Sequence, residues 1–232
     1  MLKRTLIGDV LWVVSLLLIT ALFVLPQTHE LFIQLTSSYP YLMGFIKFAV
    51  LASMGELLAL RLANGVWIRP DGMIFKIAVW GLIGVLITYM FLFYSKGVSA
   101  MMEQAGISPG NSLFSTVYTA FLTSAIMNLT FGIVFMAMHR MSDTYIEMRF
   151  NHKKPTLKEL IQTIHWDAFI TFVVFKSIPL FWIPAHTITF TLPSYYRVVA
   201  AAFLSIILGV ILVYSNNLQK QKTVNNGGTD RA

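Results

Sequence analysis

Cysteine is missing from the 232 residues altogether, and charge is scarce: Asp, Glu, Lys and Arg make up 12% of the chain. Without thiols there is no disulfide, no cysteine nucleophile, no thiolate metal site and no iron–sulfur cluster. A charged fraction about half that of an ordinary soluble domain cannot clothe a water-facing surface. Common catalytic patterns are missing too: there is no Gly-x-Ser-x-Gly, no His-Glu-x-x-His and no glycine-rich phosphate loop. The five histidines, His29, His139, His152, His165 and His186, are too scattered for a metal cluster. No catalytic residue, metal site or cofactor is therefore expected, and the chain reads as a non-enzyme. An intramembrane enzyme acting on a lipid-linked substrate would need a convergent acid and base, for which Glu56 and Lys176 are thin motivation.

What is abundant is apolar. Hydrophobic residues make up 56% of the chain, and the mean hydropathy is +0.70. Six apolar runs stand out, at about 6–25, 41–63, 74–95, 112–138, 166–188 and 197–215. A helix rises about 1.5 Å per residue, so about 20 apolar residues cross a hydrocarbon core about 30 Å thick. A membrane β-barrel would alternate apolar with polar residues, whereas these runs are apolar all round. The fold class predicted is an all-α, polytopic bundle of six transmembrane helices. It forms one domain over 1–218, followed by a polar, glycine-rich tail over 219–232 without regular structure. The opening MLKRTLIGDV has the look of a signal peptide. Its apolar stretch is long, however, and no small-x-small cleavage site precedes Pro26, so it reads as an uncleaved span.

Counting basic residues loop by loop sets an orientation. Lys3, Arg4, Arg61, Arg69, Lys76, Arg140, Arg149, Lys153, Lys154, Lys158, Lys220, Lys222 and Arg231 fall on one side, thirteen of the seventeen cations. The other side carries Lys96 and Arg197, and Lys47 and Lys176 lie within spans. The positive-inside rule then places both termini in the cytoplasm. The same distribution accounts for the net charge of +7 without nucleic acid, because short loops offer no basic groove or arm. In the longest of these loops, Pro155 followed by TLKEL predicts a short helix, with Thr156 as N-cap and Glu159 closing a capping box.

An ionisable side chain in hydrocarbon costs about 2.5–3.5 kcal/mol or more and normally faces a partner or a wet cavity. Three polar groups lie deep in the spans: Glu56, Asn128 and Lys176, at overlapping depths. They are the candidate pore or solute-binding residues. The competing reading makes Glu56 and Lys176 a buried pair that sets helix register. Lys47, six residues from the end of its span, is expected to snorkel to the interface. Gly81 and Gly84, with Ser53 and Gly55 on the preceding span, suit close helix crossing.

The stretch FWIPAHTITFTLPSYYR, residues 181–197, crowds polar, aromatic and proline residues ahead of the last apolar run. Pro184 should kink or end the fifth helix, with His186, Thr187 and Thr189 as partners for freed carbonyls. Arg197, on the side otherwise avoided by positive charge, should have a specific partner. Trp182, Pro184, His186, Thr189, Pro193 and Arg197 are together expected to shape an outer mouth.

The spacing of Trp182, His186, Thr189-Phe190, Pro193 and Arg197 resembles the C-terminal signature of the family named after mitochondrial Mpv-seventeen and the twenty-two-kilodalton peroxisomal membrane protein. That signature runs tryptophan-proline, a glutamine three residues on, asparagine-phenylalanine, then proline-x-x-x-arginine. Here the proline comes one place late, as Pro184, His186 and Thr189 replace the glutamine and asparagine, and one residue is missing before Pro193. FIKFAVLASMGELLALRL resembles the family's first conserved span, with Gly55-Glu56 at its glycine-aspartate pair, and WGLIGVLITYMFLFYSKGV resembles the next. The similarity covers about 40–215 and leaves 6–25 as an extra span. It implies a small organellar or bacterial membrane protein with no established enzymatic activity, of a kind proposed to form a weakly selective channel or affect small-metabolite passage. Its partners would be membrane lipids and small solutes or ions, and a homo-oligomer is compatible with it. The charge bias suits a bacterial inner membrane, with an organellar membrane as the alternative. The alternative function is a non-transporting scaffold or lipid-interacting protein.

Overall fold

The computed structural model describes residues 2–108, 110, 112–151 and 154–227. Prolines set its first corners. Helix α1 (Leu2–Val24) stops at Leu25, which is extended, and Pro26 opens α2 (Pro26–Ser38). Tyr39 is again non-helical and Pro40 opens α3 (Pro40–Asn64). Proline in the first turn gives up an N–H that has no helical acceptor anyway, while it drives the residue before it out of helical geometry. At the far end of α3, Gly65 takes φ 74° and its N–H donates to the Arg61 carbonyl at 2.9 Å. This is the left-handed cap that glycine adopts without Cβ strain.

Next come α4 (Met73–Gln104) and α5 (Leu113–Met127), the latter opened by a capping box between Ser112 and Ser115. A π-helical turn over Asn128–Gly132 joins α5 to α6 (Ile133–Phe150). The capping box expected at Thr156 and Glu159 forms as read: Thr156 N–H donates to Glu159 Oε2 at 2.8 Å, Glu159 N–H donates back to Thr156 Oγ1 at 3.3 Å, and α7 (Leu157–Thr163) follows. The fifth span starts as α8 (Trp166–Ala168), continues as a fourteen-residue π-helix over Phe169–Trp182, and finishes as α9 (Ile183–Thr191). The last helix, α10 (Ser194–Gly227), continues past residue 218, where the sequence reading starts the tail; residues 228–232 lie outside the described residues.

Six helical segments are long and apolar enough to cross a membrane: Thr5–Val24, Pro40–Asn64, Met73–Gln104, Leu113–Phe150, Trp166–Thr191 and Ser194–Ile211. No strand occurs among the described residues. The protein is an all-α, integral membrane protein. The third and fourth spans run further than their apolar stretches, because helices α4 and α6 continue into polar sequence. Pro184 does not end the fifth span: it sits in the first turn of α9, and the chain turns only at Leu192-Pro193.

α3 lies at the centre, packed along α4 on one side and α10 on the other, while α5 packs against α9. Lipid offers apolar contact as good as a neighbouring helix, so close approach has to come from small residues. Gly44 and Gly84 supply it between α3 and α4: a Cβ on Gly44 would stand 2.8 Å from the Gly84 carbonyl oxygen, and one on Gly84 would collide with the Gly44 carbonyl. Gly55 turns to α10, where a Cβ would lie 3.0 Å from Ile206 Cα. Ala202 of α10 is wholly buried in the same seam.

Contacts between distant residues define two ends of the bundle. Arg61 holds Asp9, and Lys76 holds Glu147, at what we call the basal end. Arg197 holds Ser95, and His29 meets Tyr196, at the distal end.

Candidate functional site

Polar and aromatic groups line the bundle interior at three levels. At the basal level, Lys76 of α4 is 4% exposed. Its ammonium donates to Glu56 Oε1 at 3.0 Å and to Glu147 Oε1 at 3.1 Å. Trp80, one turn further along α4, donates its indole N–H to Glu56 Oε2 at 3.1 Å. Both Glu56 oxygens thus have donors. The Trp80 ring also lies against His139, with centroids 4.2 Å apart, and His139 Nε2 faces Asp143 Oδ2 at 3.5 Å.

Beyond Trp80 and His139 opens a mid-bundle cavity of about 220 Å³, walled largely by apolar side chains such as Phe131, Phe135 and Ile178. Its polar rim is built by the π turn of the fourth span. Asn128 Nδ2 donates to the Ser124 carbonyl at 2.8 Å and lies 3.1 Å from His186 Nδ1. Because Ser124 O is only an acceptor, the amide nitrogen must sit there. Asn128 Oδ1 lies 3.3 Å from the same ring nitrogen, so the amide serves His186 Nδ1 in either tautomer. Ser124 itself donates to the Ile183 carbonyl at 2.8 Å, and Thr187 donates to the same oxygen at 2.7 Å. Thr187 and Thr189 thus bond carbonyls four residues back, those of Ile183 and Ala185, rather than ones that Pro184 frees, and Ser124 adds a donor from across the bundle. Trp182 stacks near His186, and its indole N–H has no hydrogen-bond partner among the described residues. The same is true of His139 Nδ1.

The distal level is a second cavity, about 360 Å³, whose wall includes Thr36, Lys47, Thr88, Ser95 and Arg197. Phe91 belongs to both cavities and is the only one of the described residues that they share. It is 5% exposed, tilted against Phe190 at 4.9 Å and edge-on to His186 at 5.5 Å.

The residues singled out from sequence fall differently from their expected grouping. Glu56 pairs with Lys76 and reaches the mid-bundle cavity only through Trp80. Asn128 is buried and lines that cavity. Lys176 is exposed on the π-helical stretch and lines neither cavity. The common path through Glu56, Asn128 and Lys176 is therefore not formed, because each wide π turn carries about one residue more than an α turn and re-aims the side chains along it. The expected mouth also divides. Trp182 and His186 face the mid-bundle cavity, Thr189 is buried, Arg197 lines the distal cavity, and Pro184 and Pro193 are exposed. Lys47 does not snorkel. It is 6% exposed, covered by α2, and donates to Thr36 Oγ1 at 2.8 Å over the Phe32 ring.

Lys76, Trp80, Phe91, His139 and Asp143 were not singled out by the sequence reading as site residues. Lys76 and Trp80 stand four apart, as do His139 and Asp143, and residues at this spacing share a helix face; that spacing was the available signal. Against known proteins, the chain matches no family model, no curated protein and no solved structure.

Proposed function

We propose that the protein passes small solutes through the bundle, from the distal cavity past Phe91 into the mid-bundle cavity and out between Trp80 and His139. The observation that carries this reading is the position of Phe91: two cavities of about 360 and 220 Å³ abut, and one aromatic ring is common to both walls. A side chain so placed closes a path by filling it and opens it by a rotamer change, a motion that is fast relative to helix rearrangement. The unpartnered Trp182 N–H and His139 Nδ1 support the same reading. An unmatched buried polar group costs about 1–3 kcal/mol, and a polar solute in the cavity relieves that cost. No covalent chemistry is assigned to the path. A permeation role is also what the resemblance of the motifs in 40–215 to the Mpv-seventeen family would imply, and the bias of basic residues favours a cytoplasmic basal end in a bacterial inner membrane.

One observation favours a non-transporting scaffold instead. Both Glu56 oxygens are occupied by Lys76 and Trp80, as expected of a register-setting pair. Reconstitution separates the two readings. Liposomes containing folded protein should release small solutes faster than empty ones, and solute-tight liposomes would leave the scaffold.

A further inference from the structure

The distal cavity has a charge problem that its own residues do not solve. Lys47 and Arg197 both line it, and neither has a carboxylate partner among the described residues. The carboxylates that do pair, Asp9, Glu56, Glu147 and Asp143, engage Arg61, Lys76 and His139 at the basal end. Lys47 is 94% buried, since 6% of its surface is exposed. Its contacts are one hydroxyl and one aromatic face, which is little compensation for an ammonium withdrawn from water. Arg197 lies over Phe190 and spends Nε on the Leu192 carbonyl and Nη1 on Ser95 Oγ, each at 2.9 Å.

Counting donors shows what remains. Lysine has three N–H groups and arginine five. One of the three is used at Lys47, leaving two. Two of the five are used at Arg197, leaving three. Thr36 and Ser95 each accept from a cation and line the cavity themselves, and a hydroxyl that accepts still has one hydrogen to donate. A pocket lined by two cations with spare donors and by several hydroxyls, with no carboxylate in its wall, is complementary to a group with several acceptor oxygens and negative charge.

We propose that the distal cavity is an oxyanion site that takes a phosphate or carboxylate group between Lys47 and Arg197. The inference rests on the permeation reading for the cavity's role as an entrance and deepens it by naming the solute class, small oxyanions. Binding itself stands independently of flux. Lys47 and Thr36 form one side of the site, and Arg197 and Ser95 the other. Phe91, at its floor, separates the bound anion from the mid-bundle cavity.

The test uses the full-length protein in nanodiscs of neutral phosphatidylcholine. Thermal unfolding is followed with added inorganic phosphate, with succinate, and with chloride at matched ionic strength, and in separate nanodiscs doped with phosphatidylglycerol. Phosphate or succinate should raise Tm by about 3 °C or more at saturation, and chloride should not. The Lys47→Met variant removes the buried charge while keeping the bulk, so it should fold and lose that shift. Arg197→Lys, which keeps the charge but not the planar fork, should weaken it. Stabilisation only by phosphatidylglycerol, again lost in Lys47→Met, supports the site and assigns the oxyanion to a lipid headgroup. A wild type indifferent to every oxyanion, or a Lys47→Met variant that responds as the wild type does, overturns the proposal. Flux without anion binding sinks this inference alone, and anion binding in solute-tight liposomes sinks the permeation reading alone.

Discussion

Lys76 Nζ lies 3.0 Å from Glu56 Oε1, and this pair ties the basal ends of α3 and α4 together across the bundle. Glu147 of α6 joins it at 3.1 Å. Removing one partner of a buried pair strands the other charge, at a cost of about 3–5 kcal/mol. Lys76→Met should therefore lower the unfolding free energy in detergent by about that amount. Lys176→Ala, which removes an exposed side chain that touches neither cavity, should stay within about 0.5 kcal/mol of wild type. Equal effects from the two would contradict the pairing.

Phe91→Leu should speed solute release from liposomes while keeping the protein folded, since Leu leaves space where the ring had been. Phe91→Ala opens more but removes a buried aromatic, a change that costs about 3–5 kcal/mol, so its folding has to be checked alongside. Wild-type rates of release from folded Phe91→Leu would remove this ring from the path.

At the mid-bundle level, Asn128→Leu deletes the amide that hydrogen-bonds His186 Nδ1. The ring nitrogen is then left unmatched, and stability should fall by about 1–3 kcal/mol. A denaturant titration followed by tryptophan fluorescence reads the midpoint.

Gly84→Val places a side chain where the Gly44 carbonyl already stands. Overpacking costs about 1–3 kcal/mol where neighbours can yield, and a backbone oxygen yields less than a side chain does. The variant should show a lowered midpoint and slower assembly, whereas Gly97→Val, where a Cβ meets nothing within 4 Å, should behave as wild type.

The six spans were legible because a membrane-crossing helix needs a run of apolar residues, and such runs cannot hide in a sequence. The capping box at Thr156 and Glu159 was legible because it is a local exchange of two hydrogen bonds. The burial of Asn128 followed from its depth, and Glu56, at a similar depth, is half-buried. Partners were harder to read. Lys76 lies two residues inside its apolar run and looks like a loop cation, yet the helix starts at Met73 and carries it inward. Lys176 has the right depth, but depth says nothing about direction along fourteen residues of π-helix. Lys47 was expected at the interface because α2 is too polar to register as a membrane segment. Phe32 and Thr36, four residues apart on that helix, are what cover and bind it.

The contact between Gly44 and Gly84 brings backbone directly against backbone, with no side chain between to act as a bearing. α3 and α4 are therefore held as one body, and Lys47 of α3 and Phe91 of α4 keep their spacing whenever the rest of the bundle shifts around them.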